Sequence, residues 1–266
     1  MQTFHFETNV INSISFMKNQ LALTILTKDC GDTLLATLQA LQEFPEIIIL
    51  DTGSTDDTLE IAGEFSNVNI HHAEFKGFGP LNNEATSLAS RDWILSIDSD
   101  EILTLELVRE IQQLQLDPGS VYSIQRDNYF NGKRIRCCAG WYPDRVVRLY
   151  NRRNTKFSSD AVHERILTEG LQVIPLKHSM KHTPYRSISD FLEKMQKYST
   201  LFAEQNRGKK RSSFFRALVH GIGAFCKNYF LKLGIFGGKE GFIISLYNSQ
   251  TAYYKYLKLA ELNKKL

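Results

Sequence analysis

An apolar run that breaks off into acids constrains this chain more than any other feature. Trp93-Ile94-Leu95-Ser96-Ile97 reads as a buried strand, and Asp98-Ser99-Asp100-Glu101 follows at once. Three carboxylates therefore stand where the strand leaves its sheet. Open α/β sheets bind ligands at the carboxyl ends of their parallel strands. Hard oxygen donors at that place suit Mg²⁺ or Mn²⁺ bridging a diphosphate. An Asp-x-Asp is also common in acidic surface turns, so its surroundings decide its meaning.

The surroundings are strands alternating with helices. Leu21–Leu26 reads as a strand and Thr33–Phe44 as a helix, with Leu34, Leu35, Leu38 and Leu41 at helical spacing. Ile47–Leu50 is a short buried strand. It ends at Asp51 and a loop rich in capping residues, Thr52-Gly53-Ser54-Thr55-Asp56-Asp57-Thr58, which opens a helix through about Phe65. Val68–His72 reads as a strand, and Pro80–Ala89 as a helix with Pro near its first turn. The alternation predicts βαβ units and a mostly parallel sheet.

Beyond Leu116 the pattern changes. Val121–Gln125 and Arg145–Tyr150 read as strands around an irregular stretch holding Asn131-Gly132 and Trp141-Tyr142-Pro143. His163-Glu164 follows a polar turn at Ser158–Asp160. From Ile188 the chain reads as helical, with Ile188, Phe191, Leu192, Met195 and Phe202 on one face. Asn206–Ser213 is a basic linker. A helix over 214–233 carries Phe215, Leu218, Val219, Ile222, Cys226, Tyr229 and Leu233 as an apolar stripe, Gly234–Gly241 is a turn, and a last helix runs from Phe242 to Leu262. The division expected is an N-terminal extension over 1–20, a catalytic domain over 21–186 and a helical basic extension over 187–266.

Charge separates these parts. From Arg186 onward there are 15 Lys+Arg against 5 Asp+Glu, a balance of +10, so the rest of a chain of net +3 carries −7. The acidic part suits a metal-dependent site and the basic part an anionic partner. The 214–233 helix has the composition of one lying in a membrane interface, and equally of one packing its stripe on the catalytic domain. No nucleic-acid motif accompanies the basic residues, so nucleic acid is not an expected partner. The four cysteines, 30, 137, 138 and 226, form no Cys-x-x-Cys pair, which favours a reducing compartment. Glu7 and Lys18 interrupt the first 20 residues, and no run of about 20 residues is free of charge, so neither a signal peptide nor a membrane span is expected.

Five stretches together resemble a known family. They are Ile48-Ile49-Leu50-Asp51-Thr52-Gly53-Ser54-Thr55-Asp56, Gly77-Phe78-Gly79, Trp93 to Glu101, Arg148-Leu149-Tyr150 and Val162-His163-Glu164. They are similar to the GT-A nucleotide-sugar glycosyltransferases of the inverting family 2. Within it, the chain most resembles bacterial enzymes that glucosylate the inner-core heptose of lipopolysaccharide. The resemblance spans roughly residues 21–262. It implies a Rossmann-like, nucleotide-sugar-binding mixed α/β sheet with a C-terminal helical extension. It also implies a UDP-sugar donor, a lipid-linked glycan acceptor, Mg²⁺ or Mn²⁺ as cofactor, and work at the cytoplasmic face of the inner membrane, whose anionic surface would be a further partner.

The resemblance also assigns roles. Thr27, Asp29 and Asp51 fall at the positions that hold the uracil and ribose; the alternative for Asp51 is helix capping alone. Asp98 and Ser99 fall in the element that contacts the ribose, with Asp98 and Asp100 on the metal side and Asp100 the closer. Glu101 reads equally as the cap of the next helix. Glu164 matches the position of the general base, which takes the acceptor hydroxyl proton; the alternative is a surface ion pair with His163 or Arg165. His182, just before Thr183-Pro184-Tyr185, matches a histidine that completes the metal shell better than His178 does. Two places depart from the pattern. Asp29-Cys30 stands where relatives have Asn-Glu, and Leu81-Asn82-Asn83 stands where many have Lys or Arg against phosphate, leaving Lys76 or Arg148 for that contact. Two other readings share the motifs: the same chemistry on a capsule sugar, polyprenyl-linked glycan or peptide, and a catalytically silent sugar-nucleotide or glycan-binding module.

Overall fold

The computed structural model describes residues 20–264; the expected N-terminal extension lies outside them but for Gln20. In chain order the elements are β1 (Leu21–Thr27), α1 (Gly31–Gln39), β2 (Ile47–Asp51), α2 (Thr58–Gly63), β3 (Val68–His72), α3 (Phe78–Leu88), β4 (Trp93–Asp98), β5 (Glu101–Leu103), α4 (Leu105–Gln112), β6 (Ser120–Phe130), β7 (Lys133–Arg134), β8 (Arg145–Asn151), β9 (Gln172–His182), α5 (Ile188–Asn206), α6 (Phe214–Cys226) and α7 (Gly238–Lys264). A π-turn over Lys227–Leu231 and a 3₁₀ turn over Gly234–Gly237 join the last two helices.

The chain forms two compact units. The first comprises residues 20–126 and Arg145–His182; the second comprises Asp127–Asp144 and residues 183–264. The C-terminal boundary falls four residues before the one expected at 186. The second unit also takes in Asp127–Asp144, which the sequence reading assigned to the catalytic domain.

In the first unit the strand order is β3-β2-β1-β4-β8-β6-β9-β5. The first four run parallel, as the βαβ alternation predicts. β8 then pairs antiparallel with β4, which makes the sheet mixed. Of the parallel strands β1, β2 and β4 are buried on both faces, which is why Ile47–Leu50 and Trp93–Ile97 are continuous apolar runs rather than alternating ones. Leu23, Ile25, Ile49, Leu95 and Ile97 meet Leu34 and Leu38 of α1 in the main core.

Besides the two-residue β7, two strands escaped the sequence reading. β9 is mostly exposed and carries Pro175 and Lys177, so it lacks the pattern of a core strand. β5 is three residues long. Their antiparallel pairing sets Glu101 opposite His182. Glu101 is therefore not a helix cap: it is a fully buried strand residue, and Thr104 caps α4, its side chain accepting from Leu107 N.

The second unit has its own core. Phe130, Trp141, Phe191 and Ile244 pack together, with Tyr185 and Tyr247 at its border. Tyr185 stacks on Phe191 at 4.1 Å between ring centroids. Ser187 and Asp190 form a reciprocal capping box at the start of α5. α6 packs through its small residues Ala217 and Gly221, and Ser249 of α7 donates to the Gly221 carbonyl at 2.8 Å. Among the described residues no helix is long and apolar enough to cross a membrane.

Candidate active site

The carboxyl ends of β1, β2 and β4 lie side by side. The register sets Thr27 opposite Asp51 and Leu26 opposite Asp98. Alternation then decides which side chains stay in the sheet and which reach the crevice beyond it.

Asp51 is fully buried and saturated. Its Oδ1 accepts from Thr27 Oγ1 at 2.9 Å and Ser54 Oγ at 2.5 Å; its Oδ2 accepts from the Gly53 and Ser54 amides, both at 2.8 Å. Although burial opposes ionisation, these hydrogen bonds hold its carboxyl below the usual aspartate range. With four donors on two oxygens, Asp51 has no open acceptor for a base or ribose. It ties down the 52–55 loop instead, and it caps no helix. Asp56 does the capping work, accepting from Thr58 Oγ1, Thr58 N and Gly31 N.

Asp29 stands at the rim of this loop with φ of 45°. Its Oδ1 accepts from the Thr55 amide at 2.7 Å and the Thr55 hydroxyl at 3.1 Å, and the Thr55 amide does most to lower its pKa. Among the described residues its Oδ2 meets only Lys28, at 3.5 Å, and the side chain is partly exposed, so it can accept from a ligand. Lys28 also donates to the Gly53 carbonyl. Ser99 accepts from Thr37 Oγ1 through its carbonyl at 3.0 Å, and its side chain meets the Cys30 thiol.

A buried charge cluster underlies the Asp-x-Asp. Glu101 Oε2 accepts from the Asp98 amide at 3.0 Å, and Oε1 accepts from Arg148 at 2.5 Å and Arg126 at 3.2 Å. The same Arg148 nitrogen reaches Asp98 Oδ2. Desolvation opposes charge on Asp98, yet the guanidinium charges of Arg148 and Arg126 and the nearby His182 hold it below the ordinary aspartate value. Desolvation raises Glu101, with the charge of Asp98 adding to it. Asp98 Oδ1 has no protein partner among the described residues and is half exposed. Arg148 is thus committed to carboxylates, and Lys76 pairs with Glu84 at 2.5 Å. Neither is a free substitute for the expected phosphate contact. Asn82 and Asn83, at the departing positions, brace the fold: Asn82 donates to the Phe78 carbonyl, and Asn83 exchanges two hydrogen bonds with the Phe157 backbone.

Asp100 Oδ2 faces His182 Nε2 at 3.6 Å, both side chains partly exposed. Two ligands on one Mg²⁺ at bonds of about 2.0–2.1 Å can stand up to about 4 Å apart. The spacing of the pair is compatible with two ligands to one hard cation. Among the described residues no group of three or more His, Cys, Asp or Glu side chains is gathered as a metal cage. His178 is exposed on β9, where its amide donates to Glu110.

Glu164 sits on a hairpin closed by the Phe157–Ile166 bridge and by Ser158 N donating to the Arg165 carbonyl at 2.8 Å. The Gly77-Phe78-Gly79 turn seats that hairpin. Phe78 N and Gly79 N donate to the carbonyls of Ala161 and Asp160, and a Cβ on Gly79 would lie 2.0 Å from the Ser158 carbonyl. His163 takes φ of 64° to turn the next residue inward. Glu164 is half-buried and forms no ion pair with His163 or Arg165 within 4 Å among the described residues. Desolvation raises its pKa, and the charge of Asp98 adds to the effect. A proton acceptor and the strand-end acids are therefore in electrostatic reach of one another.

Sequence reasoning missed Arg126 and the pairing role of Glu101. The signal available was Arg148 itself, a cation flanked by Leu149 and Tyr150 in a strand pattern; a buried Arg requires a carboxylate partner.

A family model described as Glycosyl transferase family 2 matches residues 23–167. The chain is 28% identical over 236 residues to an uncharacterised glycosyltransferase of Rickettsia felis, covering 83% of this chain and 81% of the relative. It is 26% identical over 232 residues to the lipopolysaccharide core biosynthesis glycosyltransferase LpsC of Rhizobium meliloti, covering 81% and 84%. Among solved structures it is similar to a mannosyltransferase from Pyrobaculum calidifontis in complex with GDP-Man and Mn²⁺, at 13% identity, with a TM-score of 0.50 over 88% of this chain and 86% of that one. The mixed sheet with its C-terminal helices is the GT-A fold.

Proposed function

The chain belongs to glycosyl transferase family 2, and on that footing we propose that it moves a hexose, glucose from UDP-glucose, with inversion onto a core sugar of lipopolysaccharide at the cytoplasmic face of the inner membrane. The observation that carries the reading is the juxtaposition in the first unit of Glu164, its pKa raised by burial, with Asp98 and the Asp100–His182 pair. LpsC, similar over most of both chains, supports the acceptor class.

The residues divide the work. Asp29 Oδ2 accepts from the base, and the loop held by Asp51 shapes the pocket for it. Asp98, anchored through one oxygen by Arg148, turns the other to the ribose or the metal. Ser99 lines the same turn. Asp100 and His182 hold Mg²⁺ or Mn²⁺, which when bound offsets the charge of the diphosphate. Glu164 takes the proton of the acceptor hydroxyl as that oxygen attacks the anomeric carbon from the side opposite the diphosphate. A raised pKa makes Glu164 a stronger base than an ordinary carboxylate.

The test supplies UDP-glucose, Mn²⁺ and lipopolysaccharide truncated to its inner core. The expected result is UDP release matched by one added β-linked hexose. Release from none of the UDP-, GDP- or dTDP-sugars would overturn the transferase reading. Transfer to a polyprenyl-linked glycan or peptide alone would overturn the acceptor.

A further inference from the structure

The apolar stripe of α6 is not spent on packing. Ala217 and Gly221 make the contact with α7, and Phe214, Phe215, Leu218, Val219 and Ile222 are left exposed, Phe215 at 72%. The turns that follow repeat the pattern more strongly. Leu231 is 77% and Phe236 82% exposed, with Phe230, Leu233 and Ile235 beside them in sequence and also exposed. Contiguous exposure of this kind marks an interaction surface.

Its charge says what it meets. Residues 205–239 hold eight Lys+Arg and no Asp or Glu. Lys227 and Lys232 are exposed within the apolar turns themselves and Lys239 at the start of α7 beside them in sequence, where long stems can lie along lipid with their ammonium groups at the phosphates. A second copy of so uniformly basic a face would be repelled.

A cavity of about 420 Å³ in the same unit combines the two properties. Lys133, Arg134 and Arg136 line it together with Leu233 and Phe236. Lys133 is taken up by the Gly237 carbonyl at 2.7 Å and fixes the turn there. Arg134 pairs with Asp127 but keeps a buried Nε without a partner. Arg136 is exposed and has no hydrogen-bond or ion-pair partner among the described residues. Cations facing an apolar wall match a phosphate headgroup and the start of its acyl chains.

We propose that the α6 face and the 227–237 turns of the second unit form a docking surface for an anionic lipid bilayer, with Leu231 and Phe236 inserting and the Arg134–Arg136 cavity receiving a lipid phosphate. The proposal rests on this face alone and is independent of which sugar is moved.

The full chain is sedimented with phosphatidylcholine vesicles and with phosphatidylcholine/phosphatidylglycerol vesicles, and UDP binding is titrated in parallel. Binding is expected to the anionic vesicles and to weaken with salt. Replacing Lys227, Lys232 and Lys239 by Gln should lower it about a hundredfold, each basic residue contributing roughly fivefold. Leu231→Ser with Phe236→Ser should lower it about tenfold or more with UDP affinity unchanged. Should that double variant unfold, the lysine variant and the salt dependence still decide. Equal binding to both vesicle types, binding to neither, or a lipid-free dimer abolished by Leu231→Ser with Phe236→Ser would each overturn the proposal. Lost UDP binding in a chain that still sediments with vesicles would count against the transferase reading only.

Discussion

Arg148 donates to the fully buried Glu101 carboxylate at 2.5 Å and through the same nitrogen to the exposed Asp98. One guanidinium thus couples the buried Glu101 to the exposed Asp98 at the end of β4. Removing the Glu101 charge takes from the largely buried Arg148 its buried partner and leaves it only the exposed Asp98.

Glu101→Ala should accordingly destabilise the protein by about 3–5 kcal/mol, the usual cost of breaking a buried pair from one side. Urea unfolding reads it directly. A loss below about 1 kcal/mol would mean that water or another carboxylate compensates Arg148 and Arg126.

Glu164→Gln should lower turnover by about 10²–10⁴-fold and leave UDP affinity intact. The folded-state pKa of Glu164 is raised, so its carboxylate contributes instability that grows as pH rises through the window between the unfolded and folded values. The Gln variant should therefore be as stable as the parent at neutral pH, or slightly more. The acid limb of kcat/KM should lie above the ordinary glutamate value in the parent and vanish in the variant. Near-normal turnover would place the base elsewhere.

Asp51→Ala removes the acceptor of Thr27, Ser54 and the Gly53 and Ser54 amides. Each donor left buried and unpaired costs about 1–3 kcal/mol. The folded pKa of Asp51 is lowered, so its stabilisation is complete above the unfolded value and is lost as pH falls through the folded one. Across that acid window the parent should lose more stability than the variant, in which only the other carboxylates of lowered pKa titrate. Parallel pH–stability curves would contradict the assignment.

Gly79→Ala should force the Ser158–Ala161 segment outward, because the new Cβ meets backbone 2.0 Å away. The expected signature is a fall in kcat with a smaller change in UDP affinity, since the displaced hairpin carries Glu164. Unchanged kcat would separate the hairpin position from catalysis.

The parallel half of this molecule was legible because its signals are local. Trp93–Ile97 and Ile47–Leu50 are apolar runs ending in acids, and the structure places those acids at the carboxyl ends of the two strands that flank β1. What escaped the sequence depends on contacts between distant residues. His182 could be singled out, yet its place beside Asp100 follows from β9 pairing with β5 about 80 residues earlier, and β9 lacks an apolar pattern. Glu101 looked like a helix cap since nothing local reveals that Arg126 and Arg148 converge on it. On α6 the stripe was visible, but its outward direction was not: Ala217 and Gly221 set it by allowing close approach to α7.

The measurement that bears most directly on the central claim is a UDP titration by calorimetry, with Mn²⁺ and with chelator, on the parent and on Asp100→Ala. The account predicts that Mn²⁺ tightens UDP binding in the parent and that Asp100→Ala removes most of this gain. UDP affinity indifferent to the metal in the parent, or an unchanged metal response in Asp100→Ala, would contradict it.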